Sequence, residues 1–483
     1  MTEKLKISIV YFISAAFIIL NTYLVMKEFY WGILIPLGLF LALLYIFSLD
    51  KVIYLAVFCT PLAIDIGDYD LGANVSVPSE PLLFGIMVLF LLKVVLEGGI
   101  DRKLLKHPVT IAIFINLFWM LVTSFTSDLP VVSFKFLLAR LWFIIPMFFA
   151  GSILFRKLSN IKPFAWAYCL SLLIVIAYTT YNHSQFGFSE KTSHWVMSPF
   201  FNDHTAYGAI LALFIPVIGG FGFDRDSSVK VRTICFVVAG VLLVALILSY
   251  CRAAWLSMAF SLLVLLLVLF RIKFKWILIT TTSVILAFII FKFEILDKLE
   301  KNKQDSSANL IEHIQSIANI SSDPSNLERI NRWQSALRMY HERPLFGWGP
   351  GTYQFEYAPF QRTKEKTIIS TNLGDKGNAH SEFIGPLSES GLIGLLSVLG
   401  IMVTAIYTGL RVFRRSANRQ ARLISLVITL GLITYYLHGT MNNFLDTDKA
   451  SVPFWGFISI LVALDLYHSG KPVEKIPEDL GVE

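Results

Sequence analysis

The chain has 483 residues, of which 55% are hydrophobic and only 16% charged. A soluble domain carries roughly 45–50% apolar and about 25% charged residues, so a soluble globule is excluded. The formal net charge of +7 does not mark a nucleic-acid partner, because the basic residues are segregated into alternate loops between apolar runs.

Those runs are about as long as a helix needs to cross the hydrocarbon core, roughly 20 residues. A chain in lipid must satisfy its own backbone hydrogen bonds, so the runs read as helices. In chain order, about fourteen spans are expected, at 7–26, 30–48, 52–66, 82–97, 108–126, 132–154, 163–181, 205–222, 233–250, 253–270, 276–292, 382–410, 423–440 and 450–467. The first follows Lys4 and Lys6 but is longer than a signal-peptide core and lacks a small-x-small cleavage site, so it reads as a helix. The third is short and contains Pro61, which suggests a kinked or partly re-entrant segment.

Basic residues fall in every second loop: Arg102, Lys103 and Lys106; Arg156, Lys157 and Lys162; Arg225, Lys230 and Arg232; Arg271, Lys273 and Lys275; then Arg411, Arg414, Arg415, Arg419 and Arg422. The 66–80 loop is acidic, with Asp68, Asp70 and Glu80. This alternation is the positive-inside pattern; it places both termini in the cytoplasm and the long polar stretch 293–380 outside it. The expected organisation is helices 1–11 in 1–292, an outer loop domain at 293–380, helices 12–14 in 381–467 and a cytoplasmic tail at 468–483.

Within the loop, 327–341 has helical spacing, with Ile330, Trp333, Leu337 and Tyr340 on one face and charge opposite. Asp323 or Ser325 is placed to cap it and Pro344 to stop it. The glycine-rich Phe346–Tyr353 is too irregular for a strand and lacks the GxxxxGK[ST] pattern of a phosphate loop. No nucleotide fingerprint and no internal repeat are found, so ATP is not indicated. The four cysteines, Cys59, Cys169, Cys235 and Cys251, show neither metal-ligand spacing nor a disulfide framework.

Ionisable residues at membrane depth are functional hypotheses by default. Arg140, inside the sixth span, keeps its charge and needs an anion, an ion pair or water. Arg252 sits at an outer corner between two apolar helices, against the charge bias. His380 opens the last long helix region at the outer edge and suits general-base work near neutral pH. Glu382 and Glu389 follow on other faces of a regular helix. Asp203 and His204 begin the eighth span, where Asn202 or Asp203 is placed to cap it. A metal site from His204, His380 and Glu382 has no support in the spacing, so no metal is expected. Two arginines suit a diphosphate, because guanidinium groups bind phosphate oxygens bidentately, and a histidine suits deprotonation of an acceptor hydroxyl.

Four stretches carry a family resemblance. They are Phe201-Asn-Asp-His-Thr-Ala-Tyr-Gly208; Leu248-Ser-Tyr-Cys-Arg-Ala-Ala-Trp-Leu256; Arg329-Ile-Asn-Arg-Trp333 with Arg343-Pro-Leu-Phe-Gly-Trp-Gly-Pro-Gly351; and Ala379-His-Ser-Glu-Phe383 with Glu389-Ser-Gly-Leu-Ile-Gly394. Over roughly 200–410 the chain resembles the O-antigen ligase and Wzy-type polymerase superfamily of bacterial inner-membrane glycosyltransferases. It departs in having Ser381 where Asn often follows the histidine, and in its higher helix count.

The resemblance implies an all-α, GT-C-like polytopic membrane protein with one large, mostly helical periplasmic loop. It implies inverting transfer of a glycan from undecaprenyl diphosphate to a hydroxyl acceptor at the periplasmic face, with no ATP or metal. Carried over residue by residue, the resemblance makes His380 the base and Arg252 and Arg140 the diphosphate ligands; Arg329, His204, Asp203, Glu382 and Glu389 are candidate supporting residues. A ligase uses a lipid A–core sugar, a polymerase another repeat unit, and a protein O-glycosyltransferase Ser or Thr; the ligase is favoured. A lipid-glycan transporter is the non-enzymatic alternative, against which stand the absent repeats and the large loop.

Overall fold

The computed structural model describes residues 3–30, 32, 35–66, 75–272, 324–367, 370 and 377–470. Among them the main helices are α1 (Glu3–Met26), α2 (Ile35–Phe47), α3 (Leu49–Cys59), α4 (Ser79–Glu97), α5 (Pro108–Phe125), α6 (Pro130–Ile144), α7 (Ile161–Ser184), α8 (His204–Phe221), α9 (Val229–Leu248), α10 (Arg252–Leu269), α11 (Pro324–Glu342), α12 (Ile384–Arg415), α13 (Arg419–His438) and α14 (Asp448–Ala463). A two-residue antiparallel hairpin between α3 and α4 pairs Ile64 with Val77 and Asp65 with Ser76.

Ten helical stretches among the described residues are long and apolar enough to cross a membrane. They coincide with ten of the fourteen expected spans. The third expected span fails because α3 ends at Cys59 and Pro61 falls in a 3-10 turn that leads into the hairpin. Proline removes a backbone donor and stops the helix early. Near the N-terminus, Ser14–Met26 and Gly38–Phe47 are shorter apolar helices. The expected span at 276–292, the segment 293–323 with its Asp323 cap, and residues 471–483 of the tail lie outside the described residues.

The bundle is inverted relative to a soluble core: outer faces expose Leu243, Val244 and Ile247 on α9 and Leu262, Leu263 and Leu266 on α10. The enclosed elements are α13 and the stretch 448–468, with 78% and 83% of their spanning windows buried. Close approach there needs small residues. A Cβ on Gly220 of α8 would collide with Val427, and one on Gly431 of α13 would lie 2.6 Å from the Leu213 carbonyl oxygen.

Consecutive spans run up and down, which gathers the basic loops at one end. There Asp224 accepts from Lys162 and from Gln420 (3.2 Å), Asp101 accepts from Arg156 (3.4 Å) and Tyr467 (2.7 Å), and Asp465 pairs with His107 (3.2 Å) and Arg411. The other end carries the start of α8, the α9–α10 corner, α11, the start of α12 and the α13–α14 turn. Every candidate residue that the sequence singles out is at, or aimed toward, this second end.

Candidate functional site

Helix α11 begins at Pro324 and ends two residues before Pro344, as the breaker residues require. Proline at the first helical position puts Ser325 inside the helix, not at its cap. The buried face differs from the expected one. Ile330, Trp333, Leu337 and Tyr340 are only half-buried, whereas Glu328, Asn331, Arg332, Ser335, Ala336 and Met339 are buried. The reason is a polar partner surface. Glu328 accepts hydrogen bonds from Arg332 Nε (2.9 Å), Thr367 (3.0 Å) and Ser370, and Asn331 donates to Gln361 (2.9 Å). Burial alone would raise the Glu328 pKa, but the hydrogen bonds from Ser370, Arg332 and Thr367 outweigh it and hold the carboxyl below its ordinary value.

This helix grips the turn that carries His380. Arg332 Nη1 donates to the Asn378 carbonyl (3.0 Å), Asn378 Oδ1 accepts from the His380 backbone N–H (3.1 Å), and the Trp333 indole N–H points at the His380 carbonyl (3.5 Å). His380 has φ 47°, a left-handed conformation uncommon for a residue with a Cβ. It does not open a helix: α12 begins at Ile384, and Ser381 Oγ caps the Phe383 and Ile384 N–H groups at 3.3 Å. The charge of the His380 ring is set by its other surroundings. Burial, then the Arg332 and Arg329 guanidiniums, push its pKa down to about 4, against the weaker pull of Asp203 and Glu328.

Arg329 sits at the centre of the remaining candidates. It lies within electrostatic reach of His380, His204 and His438. Asp203 caps α8 through Thr205 N (2.7 Å) and Ala206 N (2.8 Å), and also faces His380. His204 Nδ1 meets the Ser249 carbonyl (2.9 Å), and its ring lies 4.1 Å from that of His194. The α9–α10 corner turns on Tyr250 at φ 50°, with Ser249 Oγ accepting from Cys251 N (3.3 Å). That corner presents Arg252, whose guanidinium pairs with Glu190 (3.1 Å).

Beside this cluster is a cavity of about 420 Å³ between α5, α6, α12, α13 and α14, roofed by Pro350, Gly351, Tyr353 and Gln354 and by Asn378, Ala379 and Ser381. Arg140, Glu382 and Glu389 line it; His380, Arg252, Arg329, His204 and Asp203 do not. Arg140 is paired with Asp446 (2.6 Å), donates to the Leu445 carbonyl and lies over the Phe136 ring at 4.9 Å. Glu382 Oε1 accepts from Tyr435 OH (2.8 Å), Phe444 N (2.8 Å) and Leu445 N (2.9 Å), which fastens the α13–α14 turn to the His380 turn. Glu389 accepts from Tyr353 N (3.1 Å) in the glycine-rich loop.

That loop plugs a break in α12 at Gly391 (φ 68°, ψ −167°). Trp348 N donates to Ser388 O (3.2 Å), Gly349 N to Glu389 O (2.8 Å), Trp119 Nε1 to Ser390 O (2.7 Å), and Leu392 N to Pro344 O (3.0 Å). Irregular backbone inside a bundle is tolerated where, as for these four groups, the freed backbone finds a protein partner. A Cβ on Gly347 or Gly391 would strike the opposing backbone, which explains the glycines.

Sequence reasoning missed Glu328, Arg332, Asn378 and Asp446, and also the buried Asp448 and Lys449 at the start of α14. Lys449 Nζ donates to Thr60 O (2.7 Å) and Ala63 O (2.8 Å). A signal was present for the first pair, since Glu328 and Arg332 are four apart on a helix. A signal was also present for Asp446, an acid in the short turn before the last expected span, in a chain with an arginine expected at membrane depth.

Residues 235–399 match the family model described as "O-Antigen ligase". The matched stretch contains the α9–α10 corner, α11, the glycine-rich loop, the His380 turn and the break in α12. A curated relative, an uncharacterized protein of Haemophilus influenzae, is 22% identical over 162 residues, 33% of this chain and 35% of that protein. The chain thus covers about a third of that relative's length. The match supports a relation of the segment 235–399 to the O-antigen ligase and Wzy-type polymerase superfamily.

Proposed function

We propose that the protein is an inverting glycosyltransferase at the periplasmic face of a bacterial inner membrane, moving a glycan from undecaprenyl diphosphate to a hydroxyl acceptor. A lipid A–core sugar is the favoured acceptor. What supports this reading is the His380 imidazole, held within the field of two guanidiniums on a turn whose neighbouring residues Asn378, Ala379 and Ser381 line a mixed polar and aromatic cavity. In the step, the acceptor oxygen attacks the anomeric carbon as its proton passes to an imidazole nitrogen of His380. The bond from that carbon to the diphosphate oxygen breaks, and the electron pair leaves on the diphosphate. The leaving group brings its own activation, so no nucleotide is required. Guanidinium groups are suited to the developing phosphate charge. Arg329 lies within electrostatic reach of the base, Arg252 lies at the adjoining corner and Arg140 in the cavity wall. Diphosphate binding beside Arg329 also offsets the positive field on His380 and makes the ring a stronger base when donor is present.

Deleting the gene and analysing surface glycans tests the acceptor. Loss of capped lipid A–core is the expected result. Loss of chain length alone indicates a polymerase, and loss of glycoproteins a protein O-glycosyltransferase. In purified protein, transfer is expected without ATP and in EDTA; a strict nucleotide or divalent-ion requirement contradicts the reading.

A further inference from the structure

We propose that Arg332, locked by Glu328, is a positioning residue that fixes the Gly377–His380 turn and so aims the His380 ring at the acceptor hydroxyl. The inference rests on the reading of His380 as the proton acceptor. Its own ground is geometric. Arg332 and Glu328 are both buried, at 9% and 3% exposure, in a helix whose larger apolar residues Ile330, Trp333, Leu337 and Tyr340 are only half-buried. Two charges are not placed there for packing, since leucines would serve at lower desolvation cost. Their fork-and-acceptor arrangement leads in one direction: Glu328 to Arg332 Nε, Arg332 Nη1 to Asn378 O, Asn378 Oδ1 to His380 N.

The turn is shaped around the guanidinium. A Cβ on Gly377 would collide with Arg332 Nη1 and Cζ, and the guanidinium also lies over the Tyr357 ring at 5.6 Å. At the end of this chain His380 is held in a left-handed conformation, which persists only where surrounding contacts over-determine it. The charged groups that face the ring are Arg332, Arg329 and Glu328 from α11 and Asp203 from the cap of α8. Of these, Arg332 also bonds the turn's backbone.

The test uses full-length protein in nanodiscs with labelled histidine, His380 being assigned by its loss in His380→Gln. Two quantities are read: the titration midpoint of His380, which needs no turnover, and kcat with KM for a polyprenyl-diphosphate glycan. Arg332→Gln is expected to move the midpoint upward from about 4 and to lower kcat about 10- to 100-fold with KM little changed, because small misplacements of a reacting group cost that much. Arg332→Lys keeps the cation but not the fork, so the midpoint stays low while kcat still falls. Gly377→Ala displaces the guanidinium without removing it and is expected to lower kcat in a protein that folds. Wild-type kcat in both Arg332→Lys and Gly377→Ala, or an unmoved midpoint in Arg332→Gln, overturns the proposal. Wild-type transfer in His380→Gln instead sinks the base reading, and the midpoint shift then stands as an independent measure of whether Arg332 controls the ring.

Discussion

At the scale of the residue, the site depends on charges held away from water and aimed at one ring. With its pKa lowered to about 4, His380 is neutral across the physiological range. The kcat/KM profile reports the free enzyme's essential base, so its acid limb is expected to fall near pH 4 and not near the ordinary 6.5. A limb near 6.5 contradicts the burial of the ring among Arg329 and Arg332. The same shift has a stability consequence. The unfolded state binds a proton on this histidine between about pH 6.5 and 4 that the folded state does not. Stability therefore declines as pH falls through that window, and His380→Gln flattens the decline. Glu382 acts differently: its three hydrogen bonds fasten two turns together. Glu382→Ala strands three donors and is expected to cost on the order of 3 kcal/mol, read as a lowered melting temperature in detergent.

At the scale of the element, the informative feature is the break in α12. Sequence periodicity makes 382–410 one continuous span, because Gly391 is tolerated inside a helical pattern. Its φ 68° and ψ −167° lie in a region open essentially to glycine alone, where another residue costs about 1–3 kcal/mol. Gly391→Ala also meets the Leu345 carbonyl. It is expected to destabilise the protein and detach the glycine-rich loop, seen as faster proteolysis at 346–353; an unchanged melt would show that the loop and helix are not coupled.

The ten spans shared with the structure were legible because apolar run length is a local property. The break, and the burial of α11's polar face, were not, since each is decided by a partner distant in sequence: Pro344 and Leu345 for the break, Gln361, Thr367 and Ser370 for the helix. Site legibility followed the same line. His380, Arg329, Asp203 and His204 stand in short motifs and converge. Arg140 stands alone in an apolar run, and only the folded chain shows its pairing with Asp446.

At the scale of the whole molecule, up-and-down spans sort basic loops to one end and the site to the other. If that polarity is set by the positive-inside rule, the site end faces out. Single cysteines at Thr363, exposed beside the site, and Asp226, exposed among the basic loops, are expected to react with an impermeant maleimide from opposite sides of the membrane. Labelling of both from one side contradicts the orientation. The claim on which the account turns is narrower: that a proton leaves the acceptor hydroxyl for His380. The direct measurement is the single-turnover transfer rate of purified His380→Gln with lipid-linked donor, binding of donor being checked separately. Glutamine keeps hydrogen bonding but cannot take the proton, so the account predicts intact donor binding and a rate lower by about 10²–10⁴-fold; a rate within a few-fold of the unaltered protein contradicts it.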